Sequence, residues 1–319
     1  MAAPSSKAIV YAAFAGNSLI AVTKFFAAAL TGSSAMLAEA IHSLVDTGNQ
    51  SLLLIGMRRA KRPADARHPF GYGAEIYFWA FVVAVLIFGV GAGVSIYEGV
   101  SKLRAPHPIE NAYINYIVLG FAFIFEAGAW WFAWQGFSAS KGKVGYLTAI
   151  VRSKDPTIFT VLLEDTAAML GIIVAFLGIL LADLTGQVWL DGAASIFIGL
   201  ILASVATLLA YETKGLLIGE AAAPEVVRAL RKIVGETEGV TTINELRTVH
   251  FGPTDILLAV SVDFADALSS RQVEKSVTAI EASIKAAHPA ITRVFIEAQS
   301  PADAKAEKTK TASKRSPKK

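Results

Sequence analysis

Residues 1–212 are almost continuously apolar, and a stretch of that length leaves few environments in which a chain can fold. A bilayer crossing takes roughly 20 apolar residues, so the segment has room for about six. The remainder, 213–319, has the mixed composition of a soluble segment with a basic end. Over the whole chain 17% of residues are charged and the mean hydropathy is +0.51. Soluble domains carry about 25% charged residues, and the deficit here is concentrated in the first two thirds.

Six spans are expected near residues 6–30, 33–57, 74–101, 111–137, 156–182 and 188–212. Thr31-Gly32-Ser33-Ser34 reads as a tight turn between the first two. Asp155-Pro156 reads as a helix start, with a capping carboxylate followed by proline at the first helical position. Gly186 separates the last two spans, with Asp183 expected in the intervening loop. The connection between the second and third spans carries Arg58, Arg59, Lys61, Arg62 and Arg67. That between the fourth and fifth carries Lys141, Lys143, Arg152 and Lys154. The opposite side has only Lys102 and Arg104. The positive-inside rule then places both termini in the cytoplasm. The opening residues read as the start of the first span, with no signal or transit pattern, and a bacterial cytoplasmic membrane is the expected residence.

Beyond residue 212 the periodicity changes. Helical spacing over 224–236 and 271–287 flanks two strand-like runs at 243–251 and 256–264, with Gly252-Pro253-Thr254-Asp255 as the turn between them. Arg293–Gln299 reads as a third strand. The fold class expected is thus an α-helical polytopic membrane protein with six transmembrane helices (1–212) and a small cytoplasmic α+β domain in the order α-β-β-α-β (213–299). A basic, disordered tail follows (300–319), in which Lys305, Lys308, Lys310, Lys314, Arg315, Lys318 and Lys319 are set among few apolar residues. Such a tail is a solubilising element or a contact for anionic lipid headgroups. No folded basic surface for nucleic acid is visible.

Ionisable residues inside spans are costly and mark function by default. In AEAIHSLVDTGNQ of the second span, His42 and Asp46 are four residues apart and share a helix face, and Glu39 and Asn49 extend the stripe. An imidazole and a carboxylate so placed form half of a tetrahedral zinc site. The fifth span carries Glu164 and Asp165, rotated about 100° from each other around the helix, so the two cannot point the same way. Counting at 1.5 Å per residue from the cytoplasmic ends, Asp46, Asp165, Glu126 and Asn17 lie at depths of about 16, 14, 17 and 16 Å. Four helices thus bring a polar group to one level, as a transport site near the midplane requires. Hydrogen-bonded glue between helices is the competing reading. It suits Asn17 and Asn49 best and the His42, Asp46, Asp165 trio least, since two acids and a histidine make a poor neutral network but a good cation cage. Cysteine is absent, so a transition-metal site must use His, Asp, Glu or backbone oxygen. No nucleophile–base pair, phosphate loop or HExxH motif suggests an enzyme, and no cofactor is implied.

Taken in order, HSLVD in the second span, PADARHPFGYG in the loop after it, the aspartate-bearing fifth span, DGAASIFIG opening the sixth and NELRT in the soluble domain resemble the cation diffusion facilitator family of metal/proton antiporters. AEAIHSLVDTGNQ and SKDPTIFTVLLEDTAAMLG are similar to the branch of that family containing the human mitochondrial zinc transporter. The resemblance implies a metallochaperone-like cytoplasmic domain, a homodimer, and export of a divalent metal, zinc foremost, in exchange for protons. It assigns the transport site to His42, Asp46 and Asp165. The family's further ligand, four residues before the fifth-span aspartate, is replaced here by Val161, so the fourth position falls to Glu164, Glu126, Asn49 or water, one of which could carry a proton instead. Asp65 and His68 match a family loop site in which Tyr72 replaces a histidine, and a structural role for HPFGYG competes with metal binding there. In the soluble domain Asn244, Val260, Glu297 and Gln299 stand at or near family ligand positions, so dimerisation is expected to rest on packing. His250 is the one central histidine, and His107 and His288, each beside a proline, are expected to be solvated. Two rivals remain: the same scaffold selective for Mn²⁺, Fe²⁺ or Co²⁺, and a membrane scaffold that senses metal without transporting it.

Overall fold

The computed structural model describes residues 6–140 and 144–306. The chain divides into two units. One comprises the residues through Lys61 together with Glu75–Lys214, and the other comprises Arg62–Ala74 together with the chain from Gly215 onward.

The first unit is helical. It contains α1 (Ser6–Thr31), α2 (Ser34–Ala60), α3 (Glu75–Leu86), α4 (Gly93–Arg104), α5 (Ala112–Ser140), a short α6 (Tyr146–Arg152), α7 (Pro156–Thr185) and α8 (Trp189–Ile218). α3 and α4 form one rod through a π-helical stretch, Ile87–Ala92. Among the described residues four segments are long and apolar enough to cross a membrane: Glu75–Arg104, Ala112–Ser138, Phe159–Thr185 and Trp189–Ile218. α2 is as long as these but interrupts its apolar run with Glu39, His42, Asp46, Asn49 and Gln50. The expected spans correspond to long helical segments, several of which extend a few residues further. Lys141 and Lys143, used for orientation, lie outside the described residues.

The ends of these helices obey local rules. Gly32 adopts φ +64° between α1 and α2, and Ser33 caps α2 by accepting from the Met36 amide at 3.1 Å. Arg58 and Arg59 occupy the last turn of α2, where the helix dipole favours cations. Asp155 caps α7 by accepting from the Thr157 amide at 3.0 Å, with Pro156 behind it. α7 stops at Gly186, whose φ of +69° is left-handed. Because the stop is there, Asp183 is not a loop residue: it sits in the last turn of α7 and accepts from the Tyr116 hydroxyl at 3.1 Å.

α4 and α8 meet through glycine. A Cβ on Gly99 would stand 2.5 Å from the Gly192 carbonyl oxygen and 2.6 Å from Ile196 Cγ1, so only glycine permits this approach. Gly199 is placed similarly against Ile96, at 2.5 Å. In lipid, where apolar burial does not drive helices together, such close packing supplies much of their association.

In the second unit, α9 (Pro224–Gly235) and α10 (Ser270–Ala287) pack on a three-stranded sheet of β1 (Val240–Gly252), β2 (Asp255–Phe264) and β3 (Ile291–Ala298). The strand order is β1-β2-β3; β1 and β2 are an antiparallel hairpin, and β3 joins β2 in parallel after the α10 crossover. Alternate residues of β2, namely Ile256, Leu258, Val260 and Val262, form the centre of a core completed by Leu230, Val234, Leu246, Ile280, Ile284 and Ile291. The α-β-β-α-β order is as expected, and the structure supplies the sheet order. In the segment read as a disordered tail, residues 301–306 are helical. Ser300 and Asp303 cap this turn reciprocally: the Asp303 amide donates to Ser300 Oγ at 3.2 Å, and Ser300 Oγ donates to the Asp303 carboxylate at 2.8 Å. Lys308 to Lys319 lie outside the described residues.

Candidate cation site

The site begins with α2. His42 and Asp46, one turn apart, place Nε2 and Oδ2 3.5 Å from each other, and their relative exposures are only 1% and 9%. Both ring nitrogens of His42, Asp46 Oδ1 and Asn49 Oδ1 are buried without a hydrogen-bond partner among the described residues. Each such group costs about 1–3 kcal/mol. A helix–helix network serving stability alone would satisfy them. Buried lone pairs collected on one face are instead the donor set a cation would use.

α7 supplies two acids that separate as their rotation requires. Glu164 is buried and accepts from Asn49 Nδ2 at 2.9 Å, which ties it to α2. Asp165 is half-buried and lies within electrostatic reach of Glu126, a buried residue of α5. Asp46 is in turn within reach of Glu164, Glu126 and Asp165. Of the residues expected on depth, Asp46, Glu126 and Asp165 lie within electrostatic reach of one another. They do not close on a common point: among the described residues no group of three or more His, Asp or Glu side chains is gathered at metal-holding distance. Asn17 is half-buried on α1. Val161 offers no ligand, and its neighbour Thr160 is fully buried with Oγ1 lacking a partner.

The sequence reading overlooked Lys24. This α1 lysine is fully buried and donates to Glu39 Oε2 at 2.9 Å and to Ser43 Oγ at 2.8 Å. The rule that led to His42 and Asp46, an ionisable residue inside an apolar span, applies equally to Lys24 and would have found it. It also leaves Glu39 in an α1–α2 ion pair instead of simply extending the α2 stripe.

Asp191 is fully buried as a cap. From α8 it accepts from Ser33 Oγ at 2.6 Å, from the Ser34 amide at 2.8 Å and from the Ala35 amide at 3.2 Å. The N-terminus of α2 is thus capped by an acid from another helix, and Lys102 Nζ balances its charge at 3.6 Å. Lys102 also donates to the Gly32 carbonyl at 2.7 Å and lies 2.8 Å from Nδ1 of the exposed His107.

Within the second unit, both oxygens of Asp65 are engaged by its own loop. Oδ1 accepts from the amides of Arg67 (2.9 Å) and His68 (2.7 Å), and Oδ2 accepts from the Tyr72 hydroxyl (2.7 Å). These bonds, led by the Tyr72 hydroxyl, hold the Asp65 carboxyl below its usual pKa. His68 stands 3.7 Å from Asp65 and rests on the Tyr72 ring, with centroids 4.2 Å apart. Arg293 donates to the Phe70 carbonyl at 2.9 Å and lies over the Phe70 and Phe251 rings, which stack on each other. Elsewhere in this unit His250 is buried with Nδ1 3.1 Å from the Gly252 carbonyl oxygen. Val260 belongs to the core, and Asn244 donates to the Gln299 carbonyl at 2.7 Å, joining β1 to the chain after β3.

An apolar helical unit that holds buried acids and an imidazole, followed in sequence by a small α+β domain, defines a multi-pass membrane protein. The family model for the cation efflux transmembrane domain matches residues 10–218, and that for the cation efflux protein cytoplasmic domain matches 222–299. The chain belongs to the cation efflux, or cation diffusion facilitator, family. It is 33% identical over 259 residues to the mitochondrial proton-coupled zinc antiporter SLC30A9 of Homo sapiens, a match covering 80% of this chain and 45% of that protein. To metal tolerance protein C4 of Arabidopsis thaliana it is 30% identical over 250 residues, 78% of this chain and 55% of the relative. To the magnetosome protein MamM of Magnetospirillum gryphiswaldense it is 27% identical over 260 residues, 77% of this chain and 74% of the relative. The chain thus spans only about half the length of the first two of these relatives.

Proposed function

We propose that the protein exports a divalent metal cation, Zn²⁺ foremost, from the cytoplasm in exchange for protons. The observation that carries this reading is the set of unpartnered lone pairs on His42 and Asp46, buried in a cation efflux transmembrane domain and facing acids from α5 and α7. In this reading all six long helical segments cross the bilayer, both termini are cytoplasmic, and the soluble domain pairs two copies of the chain. The similarity to a mitochondrial proton-coupled zinc antiporter favours zinc and proton coupling.

The mechanism is alternating access around one site. His42, Asp46 and Asp165 hold the cation, with Glu164, Glu126 or Asn49 as the fourth ligand or as a proton carrier. As placed, these side chains do not converge on one point, so binding requires them to rearrange. Ligands must be deprotonated to bind metal, so binding releases protons, and protonation from the opposite side releases the metal. Asp65 and His68 serve the loop fold in this reading, since Asp65 has both oxygens committed to it.

The test is zinc flux into proteoliposomes under an imposed pH gradient. Gradient-driven flux that vanishes in Asp46→Ala and in Asp165→Ala supports the reading. Metal binding without flux would favour a sensing scaffold, and flux surviving both substitutions would place the site elsewhere. The donor set, with one imidazole among several oxygens, favours Mn²⁺, Fe²⁺ or Co²⁺ as the second reading. Comparing the flux of these ions with that of zinc, in wild type and in His42→Asp, separates the two.

A further inference from the structure

The buried carboxylates near the proposed site outnumber the buried cations around them. Glu39, Asp46, Glu126 and Glu164 are all buried, and Asp165 is half-buried. Among the described residues the buried cation beside them is Lys24, whose ammonium reaches three of the five, Glu39, Asp46 and Glu126, as well as His42. Its two hydrogen bonds, to Glu39 Oε2 and Ser43 Oγ, fix it beside the α2 stripe, with Ser43 adjacent in sequence to His42. Glu39 Oε1 has no hydrogen-bond partner among the described residues and lies against α7 at Gly171, where a Cβ would come within 2.2 Å of it. The pair thus sits where α1, α2 and α7 meet, which is the ground the transported ion must share.

We propose that Lys24 is the resident counter-cation of the transport site. Its fixed charge opposes the divalent substrate, Glu39 offsets that opposition, and the balance between them sets the affinity at which the site captures and releases metal. This rests on the transport-site reading given above. The physical basis is the weak screening of charges in a desolvated interior, where a unit charge one or two helical turns from a divalent ion changes its binding by at least about 10-fold. A lysine that only clipped α1 to α2 would be indifferent to the sign of its partner's removal. A counter-cation is not. Deleting Lys24 leaves Glu39 unopposed and strengthens metal binding, whereas deleting the Glu39 charge leaves Lys24 unopposed and weakens it.

The experiment is zinc affinity of the purified full-length protein in lipid nanodiscs, measured by competition with a fluorescent chelator. An Asp46→Ala control identifies the signal that belongs to the transport site. Lys24→Met is expected to bind zinc about 10-fold more tightly and Glu39→Gln about 10-fold more weakly. The double variant and Lys24→Arg should return near wild type. If Lys24→Met does not fold, the double variant, which buries no charge at this position, decides. Affinity near wild type supports the proposal, and affinity equal to that of Glu39→Gln overturns it. Single variants that shift in the same direction, or not at all, also overturn it while leaving the transport site intact. A wild-type protein whose zinc affinity is unchanged by Asp46→Ala overturns both.

Discussion

The Asn49 amide donates to Glu164 Oε1 across the α2–α7 interface at 2.9 Å, while Asn49 Oδ1 has no partner among the described residues. One side chain therefore both positions an acid and presents a lone pair of its own. Asn49→Ala should leave Glu164 buried without its donor, at a cost of about 1–3 kcal/mol. Glu164→Gln keeps an oxygen for Asn49 to donate to and should melt near wild type in detergent. Flux through Glu164→Gln then reads the role of the negative charge alone: a loss assigns Glu164 to the cation or the proton, and normal flux leaves it as a strut.

Asp191 holds four groups at the start of α2, the Ser34 hydroxyl among them, and faces Lys102 in a buried pair. Asp191→Ala removes the cap and strands the lysine, and breaking a buried pair in this way costs about 3–5 kcal/mol. The expected result is a large drop in melting temperature or loss of folded protein from the membrane. Asp191→Ala combined with Lys102→Met should recover part of the loss, because no buried charge is then left alone.

The loop at residues 62–74 should be insensitive to mild acid. Asp65 has its carboxyl pKa lowered by the Tyr72 hydroxyl and by the amides of His68 and Arg67. A depressed pKa contributes stability that is fully present above the unfolded carboxylate value and is lost as pH falls through the folded one. Amide exchange at Arg67 and His68, corrected for its intrinsic pH dependence, should therefore keep its protection from neutral pH to about pH 4, near the ordinary aspartate value, and lose it only below. Asp65→Asn should remove that pH response.

Arg293 binds the same loop through the Phe70 carbonyl and two stacked rings, and it is held in place by Asp255 Oδ1 at 2.6 Å. Arg293→Ala should release the loop. Limited trypsinolysis of the folded protein would then cut sooner at Arg62 and Arg67. Lysine at this position keeps the charge but not the planar, stacked fork, and should protect only in part.

Much of this architecture was legible because its causes are local. Ser33, Asp155-Pro156 and Gly186 act on their own neighbours, so the helix boundaries they set follow from adjacent residues. The alternation of β2 and the helical spacing of α9 and α10 likewise report a single buried face. The His42–Asp46 pair was visible because i,i+4 spacing needs one helix only. What was hidden depends on how helices rotate against one another. Neither the partner of Lys24 nor the use of Asp191 as a cap for a different helix is encoded in nearby sequence. The π-helical stretch at Ile87–Ala92 and the short α6 gave no periodic signal strong enough to stand out. The span count is the instructive case: the polar residues that nominate α2 as the seat of the site are those that take it out of the clearly apolar set.

The contact of Gly99 with Gly192, repeated at Gly199, acts like the teeth of two meshed racks. Sliding α4 along α8 by half a turn would drive Ile96 and Ile196 into backbone, so the two helices can tilt together but cannot slip. With Asp191 pinning α8 to the head of α2, a push on any one of these three helices is delivered to the other two. Motion of α2, α4 and α8 is therefore motion of one block, carried relative to the helices that hold Glu126 and Asp165.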